Sequence, residues 1–191
     1  LALMDDGRAH LAYYYLTDTT LRHVAQTNSF TYHTVAESRT LGQATAVGVG
    51  SDGSIHTVYL SSGLRYTMRY SNTAAWSPAL VAAGVGENAA LGLALDAANT
   101  PHIVFQDAGE PLYHATWTGG AWTVQQVDPL DFPAAPAIAA GAAGQAHVAY
   151  VGPGPGSQLL RYGALTGASW TTTTLTTLGP MAWDLRPAPK V

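Results

Sequence analysis

Four histidines, His10, His56, His102 and His147, recur along the chain at intervals of 46, 46 and 45 residues. The segments around them superimpose as DDGRAHLAYY, SDGSIHTVYL, AANTPHIVFQ and AAGQAHVAYV. Three residues before each histidine stands Gly7, Gly53, Asn99 or Gly144, residue types that tolerate the positive φ of a tight turn. Three residues after it stands Tyr13, Tyr59, Phe105 or Tyr150. Upstream come Leu1 and Leu3, Val47 and Val49, Leu93 and Leu95, and Ile138 and Ala140, alternating with small residues. This is the period-two pattern of a strand, followed by a turn and a second strand carrying the histidine.

Two further markers keep the same order in each copy. A third strand carries Leu21-Arg22-His23, Leu64-Arg65-Tyr66, Leu112-Tyr113-His114 and Leu160-Arg161-Tyr162. A fourth opens with an aromatic residue, Phe30, Trp76, Trp122 or Trp170. A four-strand unit repeated every 40–50 residues or so is the mark of a propeller blade. One such sheet cannot bury both of its faces, so successive copies must stack. The expected fold is therefore all-β: a β-propeller of four-stranded antiparallel blades, in one domain. The blades fall at about 1–43, 44–89, 90–134 and 135–180, with an extra inner strand at 181–191. An open β-solenoid is the rival, although solenoid coils are usually shorter.

The repeat resembles a loose family of bacterial repeat propellers whose blades read like "ALD..G.PHIAYYD....LKYA....G.W....VD". The third copy matches best, LALDAANTPHIVFQDAGEPLYHATWTGGAWTVQQVD over 93–128, and the resemblance spans nearly the whole chain. It departs at 10–35, where Phe30 replaces the fourth-strand tryptophan, and at the Gly-Pro insertion of 152–156. The resemblance implies a propeller, often from secreted or surface-attached proteins, and no single activity.

Composition narrows the partners. Only 10% of residues are charged, the net charge is −4 and Lys190 is the one lysine, so no basic stripe exists to hold nucleic acid. No cysteine is present, which removes thiolate chemistry and cysteine-bound zinc. The longest uncharged run, 132–160, is interrupted by Pro133, Pro136, Pro153 and Pro155 and reads as no membrane-spanning helix. The chain opens on Leu1 and reads as a processed product, a trimmed chain or a fragment.

Three sets of side chains carry chemistry. The repeated His10, His56, His102 and His147 would hold a divalent metal such as Zn or Fe if they ringed an axis, and a metal there would activate water for hydrolysis. The plainer reading makes them blade-building residues that hydrogen-bond within the sheet. Acids crowd the loops between strands two and three and between blades: Asp18, Asp107, Glu110, Glu37, Glu87, Asp128 and Asp131, with Arg39 as the clearest cation. Such carboxylates suit Ca²⁺ or a hydroxyl-rich ligand; otherwise they supply loop solubility. Trp76, Trp122 and Trp170 either stack on sugars or staple each blade to its neighbour. Trp117 and Trp183 fall outside the repeat, which makes them better binding candidates.

The leading expectation is a propeller-type module binding a glycan or another surface ligand through Trp117, Trp183, Asp128, Asp131, Glu110 and Arg39. A metal-dependent hydrolase is the alternative, and a scaffold or propeller fragment without an evolved site is the third. Assembly follows from the ragged register. An apolar strand at 181–191 would close a four-blade ring within the chain or cap the first blade of a second copy. The shared ring predicts a dimer in light scattering that dissociates when the chain ends at Gly179. A monomer in both cases removes it.

Overall fold

The computed structural model describes residues 1–4, 6–26, 29–37, 41–70, 75–129, 134–142 and 144–179. These contain sixteen strands and no helix. The first sheet is β1 (Ala2–Leu3), β2 (Ala9–Tyr15), β3 (Thr20–Gln26) and β4 (Phe30–Glu37). The second is β5 (Leu41–Val49), β6 (Ile55–Ser61), β7 (Leu64–Arg69) and β8 (Ala79–Ala82). The third is β9 (Ala90–Leu95), β10 (Pro101–Gln106), β11 (Leu112–Trp117) and β12 (Trp122–Asp128). The fourth is β13 (Ala134–Ala140), β14 (Ala146–Gly154), β15 (Ser157–Thr166) and β16 (Ser169–Gly179). Each is a four-stranded antiparallel meander in chain order. The inner strands of successive sheets pack on one another, and among the described residues the arc is not seen to close from the fourth sheet to the first.

The turn chemistry matches the sequence. Gly7, Gly53, Asn99 and Gly144 all adopt positive φ, at 82°, 78°, 61° and 76°. Asparagine tolerates this region because its short side chain can bond locally. The fourth strand bulges at one repeated place, where Val35, Val81, Val127 and Leu175 are the extra residues opposite the third-strand steps Leu21–Arg22, Leu64–Arg65, Leu112–Tyr113 and Leu160–Arg161. A bulge there sharpens the local twist of each sheet, and pairing between the third and fourth strands continues on both sides of it.

The core consists of three seams between sheets. Leu21, Val35 and Tyr59 fill the first seam, with Trp76 packed against them. Val58, Leu60, Leu64, Ile103 and Phe105 fill the second. Val104, Leu112, Val127, Val148 and Tyr150 fill the third. One aromatic contact is repeated in all three. The indole of Trp76 meets His23 edge-on at 5.7 Å, Trp122 meets Tyr66 at 4.9 Å, and Trp170 meets His114 at 5.2 Å. Each tryptophan thus staples its sheet to the third strand of the sheet before it. In the second sheet Trp76 lies ahead of β8 instead of opening it, so the contact survives where the strand pairing does not. Phe30, the equivalent residue of the first sheet, is 56% exposed.

Polar ties reinforce the seams. The side-chain oxygen of Asn99 accepts the Ser51 amide at 2.9 Å, and Asp96 accepts the Gly144 amide at 3.0 Å. The segment 181–191 lies outside the described residues. Loss of one staple should be costly: Trp170→Ala is expected to lower stability by about 3 kcal/mol, whereas Phe30→Ala should cost less than about 0.5 kcal/mol. Urea unfolding of the two variants checks this contrast.

Candidate functional site

The four repeated histidines sit in the second strands of four different sheets, and each directs Nδ1 to a ring on the third strand of its own sheet. His10 Nδ1 lies 3.0 Å from His23 Nε2, and His102 Nδ1 lies 3.0 Å from His114 Nε2. His56 and His147 instead meet the hydroxyls of Tyr66 and Tyr162, both at 2.6 Å. Around His56 the proton order can be read. Ser54 Oγ donates to Asp52 and so accepts from His56 Nε2–H, which leaves Nδ1 to accept from the Tyr66 hydroxyl.

Burial disfavours the charged form of His10, His23, His56, His102 and His114. It lowers His23 to about 3, with the charges of His10, Arg69 and His33 adding to the effect. Burial likewise lowers His114 to about 3, helped by His102, and His56 to about 4 against the opposing pull of Asp52. The four imidazoles do not share one centre, and among the described residues no three His, Asp or Glu side chains converge as a metal set.

The acids are also dispersed. Asp128 is 1% exposed, not on an open rim. Its carboxylate accepts from the Tyr150 hydroxyl and from Arg161 Nε at 2.9 Å, tying the third sheet to the fourth. Asp18 pairs with Arg22, and Asp107 accepts the amides of Gly86 at 2.6 Å and Ala108 at 2.8 Å. Glu110 borders a cavity of about 370 Å³ with Phe105, Asp107 and Tyr113, at the end of the seam where the β10–β11 loop lies. Asp131, Arg39 and Trp183 lie outside the described residues.

Trp117 stands at the opposite end of that seam, beside the turns that join β9 to β10 and β11 to β12. It is 41% exposed and meets Trp122 edge-on at 5.6 Å. With Trp122, Tyr66, Tyr70, His56 and Pro101 it lines a cleft of about 580 Å³ between the second and third sheets. Among the described residues no Asp, Glu, Lys or Arg belongs to that lining, and Ser77, Asn99 and Thr100 contribute its other polar side chains. Burial raises the Tyr66 hydroxyl far above its ordinary range, so it serves here only as a neutral hydrogen-bonding group. Exposed ring faces beside neutral hydroxyl and amide groups suit a ligand that is itself apolar on one face and hydroxylated at its edges. The sequence singled out Trp117 because it breaks the repeat. It gave no sign of Tyr70, which is 64% exposed and reaches the cleft from the neighbouring sheet.

No family model matches the chain, and no curated protein matches it in sequence. Solved structures do match its fold. The Aleuria aurantia lectin, a six-bladed β-propeller with a fucose recognition mode, superimposes with a TM-score of 0.60 at 16% identity over 93% of this chain and 63% of its own. The SapL1 lectin in complex with α-methyl fucoside gives 0.65 at 14% identity over 93% and 62%. A polysaccharide lyase of family PL25, an ulvan lyase, gives 0.65 at 12% identity over 92% and 54%. The chain thus spans about three fifths of the length of the structures it matches. At these identities the likeness establishes the propeller fold.

The buried imidazoles set an expected pH response. His23, His114 and His56 bind protons more weakly when folded than when unfolded. Their contribution to stability is therefore complete above about pH 6.5 and is lost as pH falls from there through 4 and 3. Asp52 and Asp96 are held below the ordinary carboxylate value, so they do not drive the loss in that upper window. Urea midpoints should fall between pH 7 and 4.5. His114→Tyr, which copies the Tyr66 and Tyr162 arrangement, should make that fall shallower.

Proposed function

We propose that this chain is a propeller-type glycan-binding module and that it holds sugar in the cleft between the second and third sheets. The observation that carries the reading is Trp117, exposed beside a turn and facing a cleft of aromatic rings and neutral polar groups. A pyranose has one face of C–H groups, which packs on an indole or phenol ring, and a rim of hydroxyls that exchange hydrogen bonds with neutral partners. Binding of this kind needs no metal and no titrating group. It therefore agrees with histidines that are engaged inside their own sheets.

The fold neighbours support the reading. Two are lectins, one with a fucose recognition mode and one in complex with α-methyl fucoside, and the third is a polysaccharide lyase. Carbohydrate is the ligand class common to all three. Their identities with this chain are low, so the particular sugar is not carried over.

Titration calorimetry with α-methyl fucoside, methyl mannoside, methyl glucoside and N-acetylglucosamine tests the reading. At least one should bind, and Trp117→Ala should weaken it about tenfold or more, roughly 1.4 kcal/mol. Tryptophan fluorescence should change on binding in the native chain and less in the variant. Absence of binding at millimolar concentration by every one of these sugars and by their oligomers would overturn the proposal.

A further inference from the structure

We infer that the sugar cleft does not end at Trp117 but continues over the third sheet into the next seam, forming one groove for a neutral glycan chain of several units. This rests on the glycan-binding reading and specifies the ligand: an extended oligosaccharide lying along its length, not a single terminal sugar.

The evidence is a shared wall. A second cleft, of about 310 Å³, lies between the third and fourth sheets. Trp117 and Thr100 line both clefts. The hairpin that joins β11 to β12 forms the crest between them, with Gly119 on one side and Thr118 on the other. Both clefts open at the end of the sheets where the β9–β10 and β11–β12 turns lie, because alternating strand direction places those two turns together. A chain stacked on Trp117 would therefore have a cleft before it and another after it.

The chemistry of the two clefts agrees. The second is lined by Thr116, Thr118, Thr123 and Gln125, with His102 at depth, and again, among the described residues, by no Asp, Glu, Lys or Arg. Thr118 and Thr123 hold their hydroxyls 3.0 Å apart. Hydroxyl and amide groups without charge complement the hydroxyls of a neutral sugar, whereas a uronate or sulfated chain would enter without a cation to offset its charge. The first cleft is the more aromatic and the second the more hydroxylated. One unit would stack firmly in the first while its neighbours are held by hydrogen bonds in the second.

The test is a length series. Manno-, cello- and chito-oligosaccharides of one to six units are titrated against the full chain, with oligogalacturonate as the charged comparison. The inference expects affinity to rise at least tenfold between one unit and four in the series that binds, and the neutral chain to exceed the charged one. Thr123→Arg, an exposed position in the second cleft, should bring the rise to an early plateau. Thermal unfolding of that variant confirms that it is folded. Equal affinity at every length, or a length series unaltered by Thr123→Arg, would overturn the continuous groove and leave the glycan-binding reading standing. Tighter binding of oligogalacturonate would overturn the neutral chain. If no sugar of any length binds, both readings fail together.

Discussion

Everything in this structure depends on the seam between sheets. A four-stranded meander has two faces and no layer of its own to cover either, so the free energy of folding comes from what one sheet places against the next. Each described seam solves this in the same way. An indole near the start of the outer strand meets the ring on the third strand of the preceding sheet, above a floor of branched side chains. Val104, Leu112 and Val148 in the third seam are each at most 1% exposed. The residues beneath those rings must then satisfy buried polar atoms inside a single sheet. This is why a second-strand histidine pairs with a third-strand histidine or tyrosine in each of the four sheets.

The candidate site is a consequence of those seams. Beside the rings that staple the second and third sheets lies a cleft whose walls belong to two different repeats. Tyr66 and Tyr70 come from the second sheet side, Trp117 and Trp122 from the third, and Thr100 from the turn beside them. The staple tryptophan thus has a double position: its edge lies against Tyr66, and it also lines the cleft. Stapling and cleft lining coincide at Trp122 and are separate at Trp117, which is exposed and outside the repeat.

The legibility of the sequence divides along the same boundary. What repeats could be read: the strands, the positive φ at Gly7, Gly53, Asn99 and Gly144, and the stapling role open to the tryptophans all follow from residue type and interval. What joins two repeats could not. Asp128 looks like a loop acid because it ends a strand, yet it is buried by Tyr150 and Arg161, 22 and 33 residues further on and in the next sheet. Glu110 and Trp117 read as parts of one binding set in the sequence, but the alternation of strand direction puts them at opposite ends of the same seam. Tyr70 carries no repeat signal, and its place in the cleft depends on how closely the second and third sheets approach.

The scarcity of charge explains why the clefts are neutral. With only 10% of residues charged, each cation that enters a seam has an assigned role there. Arg69 is 3% exposed, and its guanidinium lies 5.1 Å from the Trp76 ring. Arg161 is held by Asp128, Thr172 and Thr174. A guanidinium is well suited to such positions, since it stacks on rings and forks onto several acceptors while keeping its charge. Placing arginine within the seams leaves threonine, serine, asparagine and the aromatic rings to line the clefts. A surface built from those residues has little affinity for a charged polymer and good complementarity to the alternating C–H and O–H faces of a sugar. The low charge that marks the composition and the ligand class proposed for the clefts thus have one physical origin.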